Sequence, residues 1–167
     1  MSLIQCFQIN GNKRKKSEII ITFLQQLTAK HYDWVIILGG TNDIYNKQHA
    51  GKRSPNELSQ NIIALHNIAH HHGARTVAIT IPEVLCENVE TCEDMKQMRD
   101  NVNDNIKSYA LDHKESVVLC DMAELLARHK LKHGLVGRFF EGGLHLRPRG
   151  YETMARLIFD SLKQVID

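Results

Sequence analysis

The stretch Trp34-Val35-Ile36-Ile37-Leu38-Gly39-Gly40-Thr41-Asn42-Asp43 decides the fold class of this chain. Its apolar run has no polar alternation and is rich in β-branched side chains, the pattern of a strand covered on both faces. Gly39-Gly40 then closes the run with a bend, and the carboxamide of Asn42 follows at once, where it can aim N–H donors beyond the strand end. Thr76-Val-Ala-Ile-Thr-Ile81 and Val117-Val-Leu-Cys120 share this character and read as two further buried strands. Leu3 to Ile9 is another strand candidate.

Between the strands the period changes. Leu58, Ile62, Leu65 and Ala69 are spaced 4, 3 and 4, and Met95, Met98, Val102, Ile106 and Tyr109 are spaced 3, 4, 4 and 3, which predicts two amphipathic helices. The first has end signals: Ser54 as N-cap, Pro55 at the first helical position, Glu57 closing a capping box and Gly73 after the last turn. Tyr151, Met154, Ala155, Ile158, Leu162 and Val165 predict a final helix entered through Arg147-Pro148, and Ile20, Phe23, Leu24 and Leu27 suggest one near the start. Strand and helix alternate, which predicts a three-layer α/β/α domain of flavodoxin-like type over residues 1–167, its parallel sheet covered on both faces by right-handed crossovers. In such sheets chemistry gathers beyond the carboxyl ends of the strands. The places that qualify are Asn10-Gly11, Gly39 to Asp43, Pro82 onward, and Asp121.

Composition narrows the partners. With 43% hydrophobic and 24% charged residues, the 167-residue chain is a globular domain rather than a disordered one. A net charge of +2 is too small to drive nucleic-acid binding, and the basic run Lys13-Arg14-Lys15-Lys16 reads as a solvated loop. Trp34 to Gly40 is far shorter than the ~20 residues of a membrane span, and no signal-peptide pattern opens the chain, so no membrane span and a cytoplasmic location are expected. Cys6, Cys86, Cys92 and Cys120 lack metal or disulfide spacing and are expected as reduced thiols. His66 and His70-His71-His72 put two imidazoles on one helical face, yet their place before Gly73 fits an interaction with the helix dipole better than a metal site. Gly39-Gly40 lacks the pattern of a phosphate loop, and no cofactor or metal is expected.

The second chemical segment is Gly142-Gly143-Leu144-His145-Leu146-Arg147-Pro148-Arg149-Gly150-Tyr151, a histidine in a glycine-containing loop just before the last helix and a candidate general base. Taken with Gly40-Thr41-Asn42-Asp43, it resembles the SGNH hydrolases, also called GDSL esterases or lipases. Their third block reads GxND and their fifth Asp-x-x-His followed by Pro, Gly and an aromatic. The resemblance runs from about residue 10 to the end and takes in Arg99 and Asn103 on the third helix. It implies acyl transfer from a small ester to water, with Asn42 and the amide of Gly11 as oxyanion donors and His145 as the base.

This sequence departs from the family pattern in two places. No Gly-Asp-Ser block occurs, and Ser2 lies only nine residues before Gly11, too close to replace it. Gly142 occupies the place of the Asp that orients the imidazole, with Glu141 one residue earlier as the candidate substitute. The resemblance therefore implies a domain truncated at its N-terminus, without the first strand region, in which hydrolysis is absent or impaired. The alternatives are a non-catalytic pseudoenzyme that binds an acyl ligand on the same fold, and an enzyme using another nucleophile, such as Cys86 or a serine from another subunit. A missing first strand would leave an exposed sheet edge, so a homodimer is expected.

Overall fold

Strand β2 (Trp34–Gly39) is buried along its whole length, as an unbroken apolar run requires when both faces of a sheet are covered. The computed structural model describes residues 5–9 (backbone), 27, 29–45, 54–85, 92–132, 134–143 and 145–166. Ser2, Gly11, the basic run at 13–16, Cys86, and the predicted first helix apart from Leu27 lie outside them. β2 lies between β1 (Gln5–Ile9) and β3 (Arg75–Ile79), and β4 (Val117–Cys120) adds beyond β3. All three pairings are parallel, in registers that include Phe7↔Ile37, Ile37↔Ala78 and Ala78↔Leu119. The strand order β1-β2-β3-β4 advances in one direction.

That order fixes the layers. When each strand adds on the same side of the last, right-handed crossovers deliver every connecting helix to one face. Helix α2 (Pro55–His71), between β2 and β3, and helix α3 (Glu93–Asp112), between β3 and β4, accordingly pack together over Val35, Ile37, Ala78 and Val117. The alternate residues Trp34, Ile36, Leu38, Val77, Ile79 and Cys120 point the other way. They are covered by Ile158 and Leu162 of the C-terminal helix α6 (Pro148–Lys163) with Met122, Leu126 and Phe140. The three-layer α/β/α architecture is thus the expected one, but its second helical layer is the terminal helix and not a crossover.

Local signals account for the ends of the elements. The Ser54 side chain accepts the Glu57 backbone N–H at 3.1 Å and Pro55 opens α2, where a missing N–H costs nothing. Strand β3 stops at Ile79, two residues before the predicted Ile81, because a side chain takes over the pairing. The Asn103 carboxamide accepts the Ile81 N–H at 2.7 Å and donates to the Ile81 carbonyl at 3.0 Å, supplying from α3 what a neighbouring strand would. Among the described residues, short elements that the sequence pattern does not show include α1 (Thr41–Tyr45), α4 (Met122–Leu125), α5 (Val136–Phe139), and the hairpin of β5 (Phe140–Glu141) with β6 (His145–Leu146).

Candidate active site

The turn after β2 has room for glycine alone. Gly40 has φ of +100°, and a Cβ there would lie 2.7 Å from Ile81 Cδ1 and 3.4 Å from Ile62 Cδ1. The Ile44 N–H donates to the Gly40 carbonyl at 3.1 Å and the Ile44 side chain is buried, so α1 starts immediately at the strand end. Asn42, which follows the glycine bend in the sequence, is the second residue of that helix and half-buried. The carboxamide therefore stands at the carboxyl edge of the sheet on a short rigid support.

His145 lies in strand β6 and not in a loop. It pairs directly with Glu141 of β5, and Phe140 pairs with Leu146. Residues directly opposite in an antiparallel pair project from the same face with Cβ atoms about 5 Å apart, so Glu141 and His145 leave the hairpin on one side. Both side chains are exposed, while Phe140 next to them is buried in the core under α6. Gly142, standing where the orienting Asp was sought, opens the turn with φ of +61°. Beyond the hairpin, a Cβ on Gly150 would lie 2.2 Å from the Phe139 carbonyl oxygen, so the glycine of the Pro148-Arg149-Gly150-Tyr151 segment lets α6 close onto α5.

One segment touches both places. Ile81 packs on Gly40, and four residues later the Leu85 N–H donates to the Gly143 carbonyl at 2.9 Å. The chain leaving β3 thus touches Gly40, two residues before Asn42, and Gly143, two residues before His145, with Asn103 fixing that chain from α3. Asp121, at the end of β4, has a supporting part. One carboxylate oxygen accepts from the Thr80 hydroxyl at 2.8 Å and from the Glu124 N–H at 3.3 Å, and the other pairs with Lys107 Nζ at 2.9 Å. Gly11 lies outside the described residues.

The GDSL-like Lipase/Acylhydrolase family matches residues 4–153. The chain belongs to that family. Among solved structures it is similar to a GDSL-like lipase from Bacteroides thetaiotaomicron, with TM-score 0.69 and 18% identity over 92% of this chain and 73% of that one. A member of the lipolytic G-D-S-L family from Veillonella parvula gives TM-score 0.66 and 17% identity over 92% and 75%. An acetyl-xylooligosaccharide esterase from Geobacillus gives 0.64 and 15% over 89% and 68%. At such identities these structures show the shared fold. No curated protein matches the chain in sequence.

Two groups of this GDSL-like chain were missed or misjudged in the sequence. Arg128 and Glu83 are both buried close to the hairpin, and they surface in the sequence only as part of a basic stretch and a loop. Their partners lie 14 to 46 residues away, a separation that carries no local signal. The His66 and His70 side chains bond to the sheet and are not end-of-helix charges. His66 Nδ1 and His70 Nε2 meet the Thr76 hydroxyl at 2.8 and 3.0 Å. That hydroxyl has one proton and two lone pairs, so it donates to at most one ring and accepts from at least one. Burial, with His70 and His113 nearby, pushes the His66 pKa down to about 3. Among the described residues no group of three or more His, Cys, Asp or Glu is placed to hold a metal ion, and no helix is long and apolar enough to cross a membrane.

Proposed function

We propose that this domain holds small acyl esters at the carboxyl edge of its sheet and hydrolyses them weakly. The observation that carries the reading is the convergence of the Asn42 helix and the Glu141–His145 hairpin on the one segment Ile81–Leu85. His145 acts as general base, taking a proton from the attacking hydroxyl and returning it to the leaving alkoxide, and Glu141 steadies the imidazolium between these steps. The Asn42 amide, with the backbone N–H of Gly11, receives the charge that develops on the carbonyl oxygen.

Residues 1–167 contain no Gly-Asp-Ser block, so within them no serine is assigned as the nucleophile of a covalent route. Attack then falls to water, with the ester and water giving acid and alcohol. In a serine hydrolase stripped of its triad, the oxyanion hole and binding alone leave roughly 10³–10⁴-fold acceleration over water. The same missing block favours a second reading, a pseudoenzyme that retains the crevice to bind an acyl ligand without turnover. Hydrolysis of p-nitrophenyl acetate and butyrate by the wild type and His145→Ala separates the two. Slow turnover lost in His145→Ala supports the hydrolase, and saturable binding of a short fatty acid with no turnover supports the binding module.

The rest of the reading is a single domain acting in the cytoplasm as a homodimer. Strand β1 forms one end of the sheet order, and pairing of that edge with a second copy would satisfy its outer backbone groups. Light scattering is expected to give twice the chain mass, and a monomer would count against this assembly.

A further inference from the structure

Behind the His145 hairpin lie two buried charges that the proposed chemistry does not use. Arg128 is 7% exposed and Glu83 6%. The Arg128 guanidinium donates from one Nη to the Gly143 carbonyl at 3.3 Å and from the other to the Gly142 carbonyl at 3.1 Å, and it lies 4.8 Å above the Phe140 ring centroid. Burial pushes its pKa down, while the Glu83 carboxylate pulls it back up by favouring the charged form. Glu83 is in turn fixed by the 3₁₀ turn Arg128–Lys130, accepting from the His129 N–H at 3.1 Å and from His129 Nδ1 at 2.7 Å.

The points this fork grips are Phe140, Gly142 and Gly143, which bracket Glu141 and lead into His145. A hairpin with two residues in each strand has too few ladder bonds to hold its own geometry. Its two functional side chains, Glu141 and His145, are exposed. We infer that Arg128, backed by Glu83, is the positioning residue that sets where His145 stands against the ester. The inference rests on the reading of His145 as general base. It also explains the chemistry of the residue: a planar fork reaches two successive carbonyls at once, which the single ammonium of lysine does not.

Arg128→Met, Arg128→Lys and the control Arg138→Met, which removes an exposed guanidinium from α5, test it in two arms. In the first, the His145 ring signals and the Gly142 and Gly143 amide signals are followed by NMR. Arg128→Met is expected to move all of them toward unstructured values, Arg128→Lys to move them part of the way, and the control to leave them in place. In the second, p-nitrophenyl acetate kinetics are normalised to the folded fraction from circular dichroism. For Arg128→Met, kcat is expected to fall roughly a hundredfold with KM nearly unchanged, the sign of a displaced reacting group. A merely structural arginine would lower the folded fraction and leave normalised kcat alone, and that outcome overturns the inference. If the wild type proves inert, the esterase reading fails and the first arm decides on its own: hairpin signals unmoved in both Arg128 variants overturn the clamp.

Discussion

His66 is buried at the α2–β3 contact with two other histidines nearby, so its proton affinity is coupled to folding. Its pKa is about 3 in the folded chain against 6.5 for the free side chain, so the unfolded state binds a proton first as pH falls. Stability therefore approaches its full value above pH 6.5 and declines below it by up to about 1.4 kcal/mol per pH unit. His70 adds to the decline, since burial also lowers its pKa. Urea midpoints between about pH 5 and 6.5, above the ordinary carboxylate range, are expected to fall for the wild type and to flatten in His66→Gln. At Gly40 two strains combine, a left-handed backbone and a Cβ driven into Ile81. Gly40→Ala is expected to cost about 2–4 kcal/mol by the same measurement. Gly40 was legible in the sequence as a bend, because a paired glycine after an apolar run has few other uses. The burial of His66 was not, since the decisive contact is to Thr76 on another element.

The two long crossover helices could be read nearly to their ends, because caps and periodicity are local properties. α2 begins at Pro55 as Ser54 and Glu57 require, and Ser54→Ala is expected to cost about 1 kcal/mol. Asn103 does a job that only the folded chain reveals, completing the pairing of a strand from a helix 22 residues away. Asn103→Ala would leave both the N–H and the carbonyl of Ile81 buried without their partner. A loss of about 2–5 kcal/mol is expected, with faster hydrogen exchange at the Ile81 amide than Ser54→Ala produces. The candidate site divides along the same line. Asn42 and His145 were found from motifs contiguous in sequence. The strand pairing of Glu141 with His145 lies in a hairpin too short to show a period, and the Arg128 and Glu83 groups behind it come from tertiary contacts that a reading of periodicity does not reach.

Across the whole molecule the two sheet faces are defended unequally. Among the described residues, two crossover helices packed on each other cover one face, while α6 supplies the main cover of the other. Cys120 reports on the second face, being fully buried there with its thiol pKa raised by burial. Alkylation of Cys120 by iodoacetamide, followed by peptide mass spectrometry, is expected to require release of α6. Its rate should therefore rise at urea concentrations below the global midpoint, ahead of exchange at the Ile37 and Ala78 amides. Equal onset of the two signals would mean that α6 and the sheet unfold as one unit.

Since α6 is the last of these elements to be synthesised, a nascent chain still on the ribosome carries a finished layer of helices on one side of the sheet. On the other side Trp34, Ile36 and Val77 stay bare until residues near Ile158 and Leu162 clear the exit tunnel. During that interval the growing polypeptide presents a sticky apolar plane, and chaperones that bind such surfaces have their window before the final helix shuts it.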